Sequence, residues 1–200
     1  LTLMIAFLFF FIYLFSIKIS NLDIPFLIIF LSNNIFSSIF VLLCFLFVIN
    51  GANLIDGFNG LLALNLIIIN SILAYINLAD GINDFSIFII GQIIILFSFL
   101  LFNFPSAKIF FGDSGSYLMG SLVALNVIIT NNLNPEYSSF FFCILLFYLF
   151  FEVFFSFFRK IIQKKSPLHP DKNHLHMLVF EKVSLVFGKD KGNYINSLVI

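Results

Sequence analysis

Residues 86–116 read SIFIIGQIIILFSFLLFNFPSAKIFFGDSGS. The run from Ser86 to Phe102 is apolar and close to the length a membrane helix needs, about 20 residues with a range near 17–25. Pro105 ends it. Phe110 to Ser116 then brings a carboxylate, two glycines and two hydroxyls, which are poor lipid filler. Placing an ionised Asp in hydrocarbon costs roughly 2.5–3.5 kcal/mol on insertion scales. Asp113 therefore belongs at a membrane surface or in a protein-lined polar cavity. Either place marks it as a candidate functional residue.

The rest of the chain has the same character. Of its 200 residues, 61% are hydrophobic and 10% charged, and the mean hydropathy is +1.11. Such a composition excludes an ordinary soluble domain and predicts an all-α integral membrane protein, residues 1–200 forming one domain. Phe is over-used, at 32 residues, and Trp is absent; the excess reads as nucleotide bias. Net charge is zero, yet eight of the ten Lys and Arg lie between Arg159 and Lys191. This is a topology signal close to membrane segments and not a nucleic-acid-binding tail. Cys44 and Cys143 fall inside apolar runs and read as small hydrophobes. The chain opens on Leu1 within an apolar run, without a basic leader, and closes on Tyr194–Ile200, which reads as the start of a further apolar segment. The expectation is a fragment of a longer protein.

Hydropathy predicts six spans and a stub: Leu3–Ile17, Ile35–Ile49, Leu61–Leu78, Ser86–Phe102, Ser116–Thr130 and Ser139–Phe158, with Phe26–Leu31 as a short hairpin or re-entrant piece. Cytoplasmic loops collect Lys and Arg. If the basic loop from Arg159 to Asn193 is cytoplasmic, parity puts Asn50–Gly60 and Asn103–Gly115 on the same side. Three polar loops then share one face of the membrane.

The first reads NGANLIDGFNGL, Asn50 to Leu61. Asn50, Asn53 and Asp56 recur every three residues and Asn59 continues the series, which keeps polar groups near one face of a helical turn. A plain glycine-punctuated turn would explain the glycines; two carboxamides and a carboxylate at the end of a span suit a nucleotide or sugar better. In the second loop, Asp113 is a hard oxygen ligand of the kind Mg²⁺ takes together with substrate phosphates. The N–H groups that open the next helix favour phosphate. Ser114 or Ser116 could cap that helix, Phe110 or Phe111 could stack on a base, and Lys108 either holds phosphate or sits at the interface. The third loop, SPLHPDKNHLHML, holds all three histidines, His169, His174 and His176. Their spacing is a poor zinc pattern. Phosphate binding or proton transfer beside Arg159 and Lys172 fits better. Glu152, in the last span, should face the bundle interior or reach the interface.

Taken together, NGANLIDGFNGL, PSAKIFFGDSGSYLMG and FEVFFSFFRKIIQKKSPLHPDKNHLHML resemble, in order and spacing, the motifs of the polyprenyl-phosphate N-acetylhexosamine-1-phosphate transferases, glycosyltransferase family 4. The resemblance runs from about Ile35 to Val179 and implies a reaction. A polyprenyl phosphate attacks the β-phosphate of a UDP-N-acetylhexosamine, giving polyprenyl-diphosphate-sugar and UMP, with Mg²⁺ as cofactor or Mn²⁺ in its place. By the match, Asp56, Asp113, His174 and His176 would be catalytic, with Asp113 the metal ligand. Asn50, Asn53, Asn59, Lys108, Phe110, Arg159 and Lys172 would bind substrate, Phe110 packing on uracil. The resemblance further implies an inner (plasma) membrane location, cytoplasmic site loops and compatibility with a homodimer.

Asn59 and the HLH pattern resemble the branch that transfers N-acetylglucosamine 1-phosphate in surface-polysaccharide synthesis more than the peptidoglycan branch. One family feature is missing. No two acids are adjacent anywhere in the chain, whereas the family carries an aspartate pair just before the helix that Leu3–Ile17 resembles. The expectation is that these 200 residues alone are inactive. A membrane transporter core and an inactive remnant are the rival readings.

Overall fold

The computed structural model describes residues 2–164 and 174–200, and among them all regular structure is helical. In chain order the helices are α1 (Thr2–Leu14), α2 (Pro25–Leu31), α3 (Asn34–Ile55), α4 (Leu61–Ala79), α5 (Asn83–Asn103), α6 (Gly112–Leu133), α7 (Ser139–Leu145), α8 (Phe147–Ile162), α9 (Leu175–Phe187) and α10 (Lys189–Val199). The chain is a multi-pass helical membrane protein. Four helices, α3 to α6, are long and apolar enough to cross a bilayer.

The other expected spans differ from the hydropathy reading. α1 has only 13 residues, short for a crossing. Ser139–Phe158 is not one straight helix: α7 and α8 meet at Leu146 with a bend of 70°. Hydropathy averages over such a break. Within α8, Tyr148, Glu152, Ser156 and Lys160 recur every four residues and so share one helix face. Glu152, Ser156 and Lys160 are buried on that face, while Phe147, Phe154 and Phe158 lie exposed on others. α8 is an inside-out amphipathic helix, aromatic toward lipid and charged toward protein.

α3 is the central element. It packs against α1, α2, α6 and α8, while α4 packs against α5 and α6. Val41, Ile49 and Ala52 of α3, Leu62, Leu66 and Leu73 of α4, Val123 of α6 and Leu149 of α8 are all at most 1% exposed. Two glycines set how closely these helices approach. A Cβ on Gly51 would lie 2.7 Å from the carbonyl oxygen of Leu149, and one on Gly120 would lie 2.9 Å from the Cβ of Ala52. Small residues at such contacts are the usual means by which membrane helices gain van der Waals packing, because lipid offers them no hydrophobic drive to associate.

Polar side chains inside the bundle bond to one another. Asn126 of α6 donates to Asn70 of α4 at 3.0 Å and to Gln92 of α5 at 2.8 Å. Nearer one end, Asn77 of α4 donates to Thr130 at 2.8 Å, and Asn134 donates back to Asn77 at 3.1 Å. Each such bond is worth roughly 0.6–2 kcal/mol in a membrane protein. At that same end the carboxylate of Asp23 accepts from the Ser139 backbone N–H at 2.7 Å and from the Ser138 and Ser139 hydroxyls. These hydroxyls hold its carboxyl below the usual range. The bonds fasten the α1–α2 connection to the start of α7.

The close approaches predict a sharp contrast. Gly120→Leu and Gly51→Ala should each lower the midpoint of thermal unfolding in detergent, by the equivalent of about 1–3 kcal/mol of overpacking or more. Gly91→Ala, on α5, where an added Cβ meets nothing within 4 Å, should leave it unchanged or raise it slightly, since Ala is the better helix former by about 1 kcal/mol.

Candidate functional site

The C-terminal end of α3 and the N-terminal end of α6 meet at the end of the bundle opposite Asp23. α3 runs past Ile49 to Ile55, so Asn50 and Asn53 stand on a helix and not in a loop, with Asp56 just beyond its last turn. Likewise α6 begins at Gly112, placing Asp113 in its first turn, where the helix dipole favours a carboxylate. Asn53 joins the two helices: its Nδ2 donates to Oδ1 of Asp113 at 3.0 Å and to Oγ of Ser116 at 3.1 Å. Ser116, fully buried, donates in turn to the Asp113 carbonyl at 3.1 Å. It acts as part of the junction and not as the helix cap its position suggested.

The remaining loop residues divide into those that face outward and those used to build. Asn50 bonds back to the Leu46 carbonyl at 2.6 Å, within its own helix. Asn59 is a staple: its amide donates to the Pro105 carbonyl at 2.8 Å, and its backbone N–H donates to Asn193 of α10 at 3.0 Å. Asn103 completes the junction, accepting from the Gly60 N–H at 2.6 Å and donating to the Ile109 carbonyl at 2.7 Å. Gly60 has φ +81° and the Phe104 ring packs against it; a side chain there would be strained and crowded. Phe111 stacks on Phe99 with ring centroids 3.8 Å apart, so it is packing material. Phe110 and Lys108 are exposed.

The third loop reaches the same place. His169 and Lys172 lie outside the described residues. His174 and His176 are buried, 6% and 1% exposed, and their rings stack in parallel at 5.3 Å. A Cβ on Gly57, the residue after Asp56, would stand 3.5 Å from Nε2 of His176. Phe58 meets the same imidazole edge-on at 5.6 Å. Behind the histidines lies Glu152, fully buried, whose carboxylate faces Nδ1 of both rings, at 2.9 Å for His176 and 3.3 Å for His174. Arg159, one turn and more along α8, lies over the Phe155 ring at 5.0 Å. Three loops far apart in sequence thus meet at one end of the bundle.

The glycosyl transferase family 4 profile matches residues 1–131. The chain belongs to glycosyl transferase family 4. Among curated proteins it is 32% identical over 148 residues to the undecaprenyl-phosphate alpha-N-acetylglucosaminyl 1-phosphate transferase of Thermotoga maritima, covering 72% of this chain and 44% of the relative. It is 34% identical over 131 residues to a probable undecaprenyl-phosphate N-acetylglucosaminyl 1-phosphate transferase of Bacillus subtilis, covering 64% and 36%. A phospho-N-acetylmuramoyl-pentapeptide-transferase of Leuconostoc mesenteroides is 40% identical over 110 residues, covering 54% and 33%. The matches span less than half of each of these relatives' length. No solved structure matches.

In this member of family 4 the junction between α3 and α6 brings two acids into electrostatic contact. The carboxyl of Asp56 is pushed up to about 6, first by burial and then by the charge of Asp113. Burial and a neighbouring like charge both disfavour the ionised carboxyl and raise its pKa in this way. Among the described residues no three His, Cys, Asp or Glu side chains converge to hold a metal. The two carboxylates of Asp56 and Asp113 fit a hard cation that takes one or two carboxylates and shares substrate phosphate oxygens, as Mg²⁺ does, and not a closed protein cage.

Sequence reasoning passed over Ser116 and Asn103 as structural members of this site, and it named Glu152 without its partners. The four-residue spacing of Tyr148, Glu152, Ser156 and Lys160 was the signal that could have placed Glu152 inside.

In the absence of divalent cations Asp56 should titrate near pH 6, read from its carboxyl carbon by NMR. Asp113→Asn removes one of the two causes and should move that titration down. The sign for stability follows: a raised carboxyl favours the fold fully below its ordinary value of 3.8 and loses that contribution as pH rises through about 6. The Asn variant should show a shallower loss across this window.

Proposed function

We propose that the protein transfers a sugar 1-phosphate from a UDP-N-acetylhexosamine, with N-acetylglucosamine as the preferred sugar, to a polyprenyl phosphate such as undecaprenyl phosphate, initiating a cell-surface polysaccharide. The observation that carries this reading is the meeting of Asn53, Asp56, Asp113 and the His174–His176 pair at one end of an apolar bundle. A water-soluble nucleotide sugar and a lipid phosphate could both reach such a place. The relatives' names supply the substrate class, and the asparagine at position 59 with the HLH pattern favours the surface-polysaccharide branch.

In this reaction an oxygen of the lipid phosphate forms a bond to the β-phosphorus of the UDP-sugar, and the bond from that phosphorus to the bridging oxygen breaks, releasing UMP. The protein's part is positioning and charge neutralisation, as for phosphoryl transfer generally. Asp113 and Asp56 would hold Mg²⁺, with Mn²⁺ as a substitute; bound there, the ion supplies neutralisation of the diphosphate charge. Asn53 holds the Asp113 carboxylate toward α3, where its charge is felt by Asp56. Phe110, exposed beside this junction, offers a face to the uracil. His174 and His176 present nitrogen to a phosphate oxygen, with Arg159, Lys108 and Lys172 adding positive charge.

Orientation follows from the ends of the bundle. The connections at the Asp23 end carry Asp23, Asp80, Asp84 and Glu136 with Lys18 as their only cation, while Arg159 and Lys160 stand at the end of α8 that lies with the site. By the positive-inside rule the site faces the cytoplasm, in the plasma membrane.

Membranes holding the protein expressed from its complete reading frame should release UMP from UDP-N-acetylglucosamine when supplied with undecaprenyl phosphate and Mg²⁺. Asp113→Asn should lower the rate by about 10²-fold or more, the scale for loss of one preorganised charge-stabilising group, with excess Mg²⁺ restoring part of it at most. Unchanged turnover would remove Asp113 from the site. The 200 residues alone, which contribute Asp56 and Asp113 without an adjacent acid pair, should give no turnover above background.

A further inference from the structure

Glu152 is the most completely enclosed acid of the described residues, at 0% exposure. It would be costly there without partners, because a buried carboxylate is tolerated only when its oxygens are hydrogen-bonded. Five donors surround it. Oε1 takes the Nδ1 of His176 at 2.9 Å, the backbone N–H of His176 at 3.3 Å and the Tyr148 hydroxyl at 3.2 Å. Oε2 takes the Nδ1 of His174 at 3.3 Å and the backbone N–H of Leu175 at 3.4 Å. The backbone donors are the first two N–H groups of α9, orphans of the helix start that a carboxylate satisfies well. One side chain thus caps α9 and grips both imidazoles of the HLH segment.

This geometry constrains the protons. An ionised carboxylate only accepts, so each ring nitrogen facing it must carry hydrogen. The proton on the far nitrogen is then free to vary, and the identity of the protonated nitrogen in the neutral ring is set by the bond that nitrogen makes. The rings are coplanar to within 2° and share the carboxylate, so both Nε2 edges lie on the side away from Glu152. That of His176 lies against Gly57, next to Asp56. Asn196 of α10 pins the same turn, donating to the His176 carbonyl at 3.0 Å.

We propose that Glu152 is a positioning residue that locks His174 and His176 as Nδ1–H tautomers and turns their two Nε2 atoms together toward a phosphate at the α3–α6 junction, where a bare Nε2 takes the proton of a phosphate hydroxyl and, once protonated, donates a hydrogen bond to the oxyanion that forms. The proposal rests on the transferase reading for the identity of that phosphate. The tautomer lock rests on the contacts alone. The two parts are separable by experiment, and the family profile's match, which stops at residue 131, does not reach these residues.

The test uses the complete protein, labelled with ¹⁵N in its histidine rings, and follows long-range ¹H–¹⁵N correlations. In the wild type both His174 and His176 should show a protonated Nδ1; a protonated Nε2 with bare Nδ1 at either position overturns the lock without need of any variant. Glu152→Gln keeps the shape but offers one carbonyl oxygen and one NH₂. A neutral amide can accept from one Nδ1–H while it donates to the other ring, so one histidine should exchange to the Nε2–H tautomer. Two unchanged Nδ1–H signals overturn the proposal. In the transferase assay the same variant should lose about 10–100-fold in kcat, the range for residues that orient a functional group, with KM for the UDP-sugar within about twofold. Tautomer exchange with unchanged kcat overturns the positioning role. Tyr148→Phe, which removes one donor and neither ring contact, should preserve both tautomers and kcat; a tenfold loss of kcat there with both tautomers retained would also count against the proposal. If the wild type itself releases no UMP, the transferase reading fails, and the NMR result still decides the lock.

Discussion

Inside this bundle a polar group cannot rely on water, so each one must find its partner in the chain, and the architecture follows from where those partners stand. With no solvent to satisfy it, an unpaired donor or acceptor at membrane depth costs several kcal/mol. The amides of Asn70, Gln92 and Asn126 therefore bond to one another across α4, α5 and α6. Asp23 draws the start of α7 onto the α1–α2 connection. Glu152, buried on α8, is gripped by both imidazoles and the start of α9, with the Tyr148 hydroxyl beside them. That grip brings the HLH segment back against α8, and with it the histidines to the Asp56 loop.

The same rule distinguishes the site from the scaffold. Glu152 is an acid whose contacts are complete. Asp56 is an acid whose contacts are not: burial and the neighbouring Asp113 both work against its charge. A carboxyl perturbed in this way beside a second acid is common at functional sites. Between the two kinds of acid runs a layer of structural amides. Asn103 and Asn59 tie the two aspartate loops together, and Asn193 and Asn196 tie both the Asn59 turn and the histidine turn to α10. In these places asparagine is the mortar of the site.

Much of this was open to a reader of the sequence. Runs of apolar residues announced α3 to α6, and a carboxylate with glycines and hydroxyls between two such runs announced a polar surface at Asp113. Loop parity put the three motif loops on one side, and their contacts place them at one end. The errors share a cause. Hydropathy counts residues per span and is blind to direction, so it read Ser139–Phe158 as one straight helix where the chain bends by 70° between α7 and α8. It also ended α3 at Ile49, because Asn50 and Asn53 look like loop residues although both are helical. Three-residue spacing put Asn50, Asn53 and Asp56 on one face, but only Asn53 turns to Asp113; Asn50 bonds to its own helix.

By itself the sequence determined the class of the molecule: a helical membrane protein, since apolar runs of helix-spanning length satisfy their own backbone groups within each segment. It also carried the motif residues and, through the clustering of Lys and Arg, the polarity of the two ends. Only the tertiary structure decided which polar residues face one another. Asn53 meeting Asp113, Asn103 stapling Gly60, and one Glu152 carboxylate serving two imidazoles and a helix start are contacts between residues that are mostly distant in the chain. They depend on the approach of α3 to α6 and of α9 to α8, which no local pattern encodes, because hydrogen bonds are directional and form only once the packing of the whole bundle has set distance and angle.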